Sequence, residues 1–170
     1  MPVITGIDDH GRPFFSFPFA DGEDRITFVK GTRRKLHPRI SIRRGVKGKN
    51  IFTPQEGPEL LAKREGIERI IEILECFRAN ITDKKALKAL ADGVDNKGQC
   101  YFDVDPGIRI TLGKGSWNKP KRAFVVNFRS YMEPGVSKRV HLGPSLPFNT
   151  PEEQENLILA FQLTLHFRSY

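Results

Sequence analysis

An internal repeat constrains the fold of this chain more than any other feature of its sequence. The segment RITFVKGT at residues 25–32 returns 84 residues later as RITLGKGS at residues 109–116, with five of the eight positions identical. An aromatic segment and a glycine-containing turn precede each copy, and a basic loop with a proline follows each. Further along the chain, the pair Thr53-Pro54 recurs as Thr150-Pro151. Because these matches occur in the same order, they predict a fold that uses one supersecondary unit twice.

Alternating polar and apolar residues predict four β-strands in each copy. Ile26 and Ile110 fall on an apolar face, whereas Thr27 and Thr111 fall on a polar face. This period of two is typical of an antiparallel sheet with one buried side. We expect strands near residues 3–7, 13–19, 24–30 and 39–45 in the first copy and near 98–104, 107–113, 122–131 and 138–143 in the second.

Each copy is predicted to end in a helix that a threonine caps. Thr53 and Thr150 are the expected N-caps, a proline follows each at the first helical position, and a glutamate three residues after each threonine closes a capping box. The first helix can also restart at Pro58. A short helix near 83–92 is expected between the copies, and the final helix is expected at about 151–167. The apolar positions of the first helix are Leu60, Ile67, Ile70, Ile71, Leu74 and Phe77.

Together these elements predict an α+β fold built by internal duplication of a four-stranded antiparallel sheet plus a helix, (ββββα)2. We expect a single domain that covers residues 1–170. Within it, the first ββββα unit is predicted at 1–80, the linking helix at 81–96 and the second unit at 97–170.

The positive charge of the chain is concentrated in two windows. The net charge is +8, but residues 25–55 contain ten Lys or Arg and residues 106–132 contain six, with no Asp or Glu in either window. The rest of the chain is therefore net negative. A sheet of one charge sign, flanked by basic loops, is typical of proteins that follow a phosphate backbone and release its counterions.

We expect this basic surface to bind single-stranded nucleic acid. Trp117 is predicted to stack on a base, which requires exposed base faces and so favours single strands. Four arginines are predicted to form the floor of the nucleic-acid-binding groove, namely Arg25, Arg43, Arg109 and Arg129. Phosphate contacts are predicted from the two basic loops and their borders, namely Lys30, Arg33, Arg34, Lys35, Arg39, Lys114, Lys119, Lys121 and Arg122.

The two-copy pattern of strands and helix resembles the Whirly-type fold, found in plant Whirly proteins and in kinetoplastid mitochondrial RNA-binding proteins. After the TPEE start at residues 150–153, the segment LAFQLTL at 159–165 is similar in character to the last helix of Whirly proteins. The resemblance implies a homotetramer with a central helical core that binds single-stranded nucleic acid with little sequence specificity. It also implies that β-strand edges and hairpins present the nucleic acid outward. DNA is favoured over RNA.

One motif departs from the Whirly pattern. Whirly proteins carry Lys-Gly-Lys in an early strand, whereas Lys47-Gly48-Lys49 comes after the fourth predicted strand of this chain, in a loop. The family role of that motif is therefore not transferred. Lys47 and Lys49 are included among the predicted nucleic-acid contacts only as basic residues of a loop.

Two other functions are compatible with a basic chain. A metal-dependent nuclease needs clustered carboxylates, and Asp8-Asp9 and the pair Asp103 and Asp105 are the candidates. Residues 105–107 are also typical of a turn, so we predict no enzymatic activity, no metal and no cofactor. A non-enzymatic adaptor would instead bind an acidic protein. A sequence-specific duplex reader is disfavoured because no predicted helix is basic enough to enter a major groove.

Several features bear on location and assembly. No apolar run approaches about 18 residues, and the N-terminus lacks the layout of a signal peptide. We expect a soluble protein of the cytoplasm, nucleoid or organellar matrix that is not secreted and has no membrane partner. Cys76 and Cys100 are expected to be buried free thiols. The final helix is apolar on more than one stripe, which predicts a homo-oligomer.

Overall fold

The computed structural model of the chain describes residues 4–7, 13–19, 22–29, 39–44, 59–61, 64–104, 108–114, 124–130 and 142–166. Two antiparallel sheets of five strands each and three helices make up this described part. The predicted α+β class is confirmed. None of these three helices is both long enough and apolar enough to cross a lipid bilayer.

Both sheets are meanders, in which strands that follow each other in the chain are neighbours in space. The first consists of β1 (Ile4–Ile7), β2 (Pro13–Phe19), β3 (Gly22–Val29), β4 (Arg39–Arg44) and β5 (Glu59–Leu61), and is followed by α1 (Arg64–Ala79). After the short helix α2 (Lys84–Leu90), the second sheet consists of β6 (Gly93–Val94), β7 (Cys100–Val104), β8 (Ile108–Lys114), β9 (Phe124–Ser130) and β10 (Leu142–Pro147), and is followed by α3 (Pro151–His166).

The repeated sequence begins in the central strand of each sheet. Its first copy starts in β3 and its second copy in β8, each of which is the third of five strands. In the second sheet this central position depends on β6, a two-residue strand that the sequence pattern does not predict. Gly93 of β6 lies opposite Tyr101, and a Cβ atom at position 93 would overlap the Tyr101 hydroxyl group. A larger residue at this position would therefore have to displace the Tyr101 side chain.

The prediction for the start of the first helix is wrong. Helix α1 begins at Arg64, whereas Leu60, which was assigned to the helix, lies in β5 opposite Ile40 of β4. Residues 59–61 pair with β4 instead, so tertiary pairing overrides the helical spacing of Leu60. The predicted cap Thr53 lies outside the described residues.

The last strand of the second sheet also differs from its prediction. Strand β10 covers Leu142–Pro147, whereas the alternation predicts a strand at 138–143, most of which lies outside the described residues. The register of β10 against β9 shifts between Leu142 and Ser145. Pro144 falls within this irregularity, and β10 is an edge strand, which is where a sheet tolerates a residue that has no N–H to donate.

Helix α2 confirms the predicted helix near 83–92. Asp83 caps it, because its Oδ1 accepts a hydrogen bond of 3.1 Å from the backbone N–H of Ala86. The linking segment does more than connect two units, however, since Gly93 and Val94 at its end pair with β7. The predicted domain boundaries remain predictions.

The described core lies between α1, α3 and the second sheet. Phe77 of α1 is fully buried and meets Phe102 and Phe148 edge to face, with ring centroids 5.2 and 6.5 Å apart. Phe161 of α3 packs on Phe128 of β9, with ring centroids 5.6 Å apart. An ion pair between Arg78 and Glu155 joins the two helices at 2.6 Å on their exposed side. These contacts fix both helices against one face of the sheet.

The predicted capping box of the last helix is confirmed. The Thr150 hydroxyl accepts a hydrogen bond of 3.1 Å from the backbone N–H of Glu153, and the Glu153 carboxylate accepts one of 2.8 Å from the backbone N–H of Thr150. A third N–H, that of Asn149, donates to the same carboxylate oxygen at 3.1 Å. Three otherwise unpaired backbone donors are thereby satisfied at the start of α3.

We expect Thr150→Ala to lower the free energy of unfolding by about 1 kcal/mol, because one of these donors loses its acceptor. Glu153→Gln keeps an oxygen that can accept from the Thr150 N–H and is the matched control, with a smaller loss. Urea denaturation followed by circular dichroism measures both. A Thr150→Ala variant as stable as the wild type would contradict the assignment of this cap.

Candidate nucleic-acid interface

The structure describes six of the predicted nucleic-acid contacts. Arg109, Lys114 and Arg129 lie on β8 and β9 with described side chains, whereas Arg25, Arg39 and Arg43 lie on β3 and β4, where the backbone register is described. The other ten lie outside the described residues, namely Lys30, Arg33, Arg34, Lys35, Lys47, Lys49, Trp117, Lys119, Lys121 and Arg122.

In the first sheet, the register brings two predicted contacts together. Arg25 of β3 lies directly opposite Arg43 of β4, and Ser16 of β2 lies opposite Arg25 on its other side. Directly opposed residues of neighbouring strands share a face, and like charges in such a pair repel each other. This row of the sheet therefore places two positive residues side by side without an acidic residue among the three.

In the second sheet, the corresponding row contains a carboxylate. Arg109 lies opposite Arg129 on one side and opposite Asp103 on the other. The Arg109 guanidinium makes two hydrogen bonds to the Asp103 carboxylate, of 2.8 and 3.0 Å, and lies 3.6 Å from the centroid of the Tyr101 ring. The side chain of Arg109 is 21% exposed. A bidentate pair stacked on an aromatic ring holds this arginine in one orientation.

Arg129 also has a carboxylate partner. Its Nη2 lies 3.5 Å from Oδ2 of Asp95, a side chain that is only 11% exposed. Both acids come from outside the acid-free window at 106–132, and cross-strand and turn contacts bring them onto the polar face. The charge pattern along the sequence does not predict that Arg109 and Arg129 are neutralised, because their carboxylate partners are close in space but lie outside the acid-free window. The predicted role of Arg109 and Arg129 in nucleic-acid binding remains a prediction, but both charges are already balanced by carboxylates.

Asp95 organises the turn between β6 and β7. Its Oδ1 accepts hydrogen bonds of 2.9 Å from the backbone N–H groups of both Lys97 and Gln99. Its own N–H donates to the Gln99 carbonyl at 2.9 Å, and its carbonyl accepts from the Gly98 N–H at 3.0 Å. Gly98 has φ = 77°, a conformation that glycine adopts without strain. The turn that carries Lys97 is therefore fixed by hydrogen bonds and tied to β9 through Arg129.

Beside this turn lies a cleft of about 660 Å³ between α2 and the ends of β8 and β9. Most of its wall is apolar. We call it the lysine-rimmed cleft, and its lining residues are Phe77, Ile81, Thr82, Lys84, Leu87, Lys88, Val94, Lys97, Gly98, Gln99, Cys100, Leu112, Gly113, Lys114 and Phe124.

Among the described residues of this lining are four lysines and no carboxylate, and the lysines are Lys84, Lys88, Lys97 and Lys114. All four are exposed, and none of them makes an ion pair with the residues that the structure describes. The five arginines with described side chains behave differently, because each pairs with an Asp or Glu. Of the five lysines with described side chains, four therefore surround the cleft without a carboxylate partner, and the fifth, Lys85, lies on α2 but does not line the cleft.

Sequence reasoning identified only one of these four lysines, Lys114. Its Nζ lies 5.2 Å from the centroid of the ring of Phe124, its register partner on β9. Lys84 and Lys88 lie outside the two basic windows at 25–55 and 106–132, so the charge distribution along the chain does not point to them. A signal was present, since α2 reads KKALKAL and contains no acid. Lys97 gave no signal, because its position depends on the turn that Asp95 closes.

The same geometry bears on the hypothesis of a metal-dependent nuclease and on the two predicted thiols. Asp103, one member of the carboxylate pair considered for a metal, is held by Arg109, and Asp105 lies outside the described residues. Within the described residues, no group of three or more His, Cys, Asp or Glu is close enough to hold a metal ion. Cys76 and Cys100 are free thiols as predicted, but both are half-buried rather than buried. Burial raises the pKa of the Cys76 thiol.

We expect Asp95→Ala to lower the free energy of unfolding by about 1–3 kcal/mol, because two turn amides lose their acceptor and Arg129 loses its carboxylate. Asp95→Asn keeps an acceptor for the turn and should lose less. Glu68→Ala removes an exposed carboxylate paired with Arg64 and serves as the matched control, with an expected cost of about 0.5 kcal/mol or less. Thermal and urea unfolding measure the three variants. Equal stability of Asp95→Ala and Glu68→Ala would contradict this role of Asp95.

Comparison with known proteins gives no relative for this chain. No family model, no curated protein and no solved structure matches it. The similarity to Whirly-type proteins therefore remains a prediction from the sequence, and the function has to be inferred from the side chains themselves.

Proposed function

We propose that this protein binds single-stranded nucleic acid with little sequence specificity and without catalysing a reaction. The observation that carries the proposal is the separation of paired from unpaired charge. The five arginines with described side chains are held by carboxylates, whereas Lys84, Lys88, Lys97 and Lys114 surround a cleft whose described lining contains no acidic residue. Such a group of cations attracts a polyanion and gains free energy when counterions are released from it.

The apolar wall of the cleft favours a single strand over a duplex. A strand with unstacked bases can place them against apolar and aromatic side chains, whereas the bases of a duplex are already stacked on each other. Phe124 is half-buried, and Val94 is 44% exposed, so apolar surface remains in contact with water at the cleft. Helix α2 has only seven residues, or about 10 Å, which is short for a helix that reads a major groove.

The proposed binding surface also includes predicted contacts from outside the cleft. The predicted contacts Lys119, Lys121 and Arg122 lie in sequence between Lys114 and Phe124, which are register partners and line the cleft. Arg25 and Arg43 share a row of the first sheet. We therefore include these positions in the proposed binding surface, with DNA as the first strand to test.

The (ββββα)2 duplication and the Whirly-type assembly form part of the proposal. Two meanders, each followed by a helix, and the start of the repeated sequence in both central strands support the duplication. Each sheet has five strands rather than the four expected. A homotetramer is the assembly that the Whirly resemblance implies, and light scattering after size-exclusion chromatography tests it.

We expect fluorescence polarisation to show preferential binding of a labelled single strand of about 30 nucleotides over the duplex of the same sequence. If the four lysines each neutralise one phosphate, the slope of log affinity against log salt concentration should be about −2.8 or steeper. Affinity should then fall roughly 50-fold or more between about 50 and 200 mM salt.

Two controls accompany this measurement, the duplex and a neutral-backbone analogue of the single strand. The analogue should bind weakly and without salt dependence. Preference for the duplex would contradict the single-strand assignment. No binding of either at low salt would contradict the proposed function and would favour an acidic protein as the partner of the basic surface.

A further inference from the structure

We infer that the lysine-rimmed cleft holds one unstacked nucleotide of the bound strand, with its base against the apolar wall and neighbouring phosphates on the four lysines. This inference rests on the proposed function and assigns it a place on the molecule. It places the main binding site at the end of the second sheet. The sequence instead predicts binding on the polar sheet face, where Arg109 and Arg129 are paired with acids.

The size and wall of the cleft fit a base. Its volume of about 660 Å³ falls within the range of roughly 300–1,000 Å³ that is usual for small-molecule sites. Apolar side chains from α1, α2, β6, β8 and β9 form much of the wall, with Leu87 and Phe77 buried and Leu112 and Phe124 half-buried. A planar base can cover the half-buried residues, and its polar edge can remain at the open side of the cleft.

The arrangement of the lysines fits several phosphates rather than one anion. Lys84 and Lys88 are four residues apart on α2 and so lie on one side of the helix, with Cβ atoms about 6 Å apart. Lys97 comes from the β6–β7 turn and Lys114 from the end of β8, so three separate elements contribute cations. A single carboxylate or phosphate would need one or two of them. A strand that crosses the cleft offers a phosphate on each side of every base.

The rim of the cleft is held in place before any ligand arrives. Asp95 fixes the turn that carries Lys97, and Asp83 caps the helix that carries Lys84 and Lys88. Lys114 lies in a paired strand position opposite Phe124. Because the backbone at these positions is ordered by its own hydrogen bonds, binding orders mainly the lysine side chains, which reduces the entropic cost of association.

The chain offers a matched pair of residues for the test. Lys85 lies on the same helix as Lys88 and is exposed like it, but does not line the cleft. Lys88→Glu and Lys85→Glu therefore change the net charge equally. We expect Lys88→Glu to weaken binding of the single strand on the order of ten-fold at low salt, and Lys85→Glu by about three-fold or less. Equal losses in the two variants would overturn the cleft assignment and leave the proposed function standing.

A second pair of variants tests for the base. Val94→Phe would fill the cleft, whereas Leu90→Phe adds the same ring at an exposed apolar position that does not line it. The wild type and Leu90→Phe should bind a normal strand about ten-fold more tightly than an abasic strand with the same phosphates. We expect Val94→Phe to lose most of this difference.

Each outcome of these experiments is decisive. If the wild type binds normal and abasic strands equally, no base enters the cleft and the inference is overturned, although single-strand binding through phosphates would stand. If Val94→Phe keeps the full preference for the normal strand, the base is held elsewhere. If the wild type binds no strand at low salt, the proposed function itself fails, which the polarisation signal of the unmodified protein shows before any variant is made.

Discussion

The packing of Phe77 holds together the part of the molecule on which the proposed function depends. This side chain is fully buried, touches aromatic rings from β7 and from the segment before α3, and also forms part of the wall of the lysine-rimmed cleft. Loss of a buried phenylalanine costs about 3–5 kcal/mol, a large share of the roughly 5–15 kcal/mol that stabilises a typical domain. The shape of the cleft is thus a consequence of the core, because the same ring that joins α1 to the second sheet supports the cleft from inside.

The second constraint is electrostatic. Arginine and lysine take different roles in the described part of this protein. Arginines lie in cross-strand, intrahelical and interhelical pairs with carboxylates, where the planar guanidinium can make two hydrogen bonds at once, as Arg109 does with Asp103. The cleft is bordered by lysines, which are compact and strongly hydrated and can follow a flexible phosphate chain. Net charge alone would not distinguish these two populations, although among the described side chains only the lysines lack a carboxylate partner.

Much of the fold follows from local sequence, and the exceptions have identifiable causes. Alternation predicts strands at 13–19 and 39–45 close to the observed β2 and β4, and the capping box predicts the start of α3. Strands β5 and β6 have only three and two residues, too few for a period to be recognised. The cleft was missed for a different reason. Its lysines are spread over residues 84–114 and come together only because α2, the β6–β7 turn and β8 meet at one end of a sheet.

The most direct test of nucleic-acid binding at the cleft is to find where a bound strand touches the protein. A single strand that carries photoreactive thymine analogues can be cross-linked to the full chain and the attached peptides identified by mass spectrometry. We predict cross-links within α2, the β6–β7 turn and the residues around Lys114 and Phe124, and their loss in competition with unmodified strand. Cross-links that form on other parts of the chain while none forms on the residues that line the cleft would contradict the central claim.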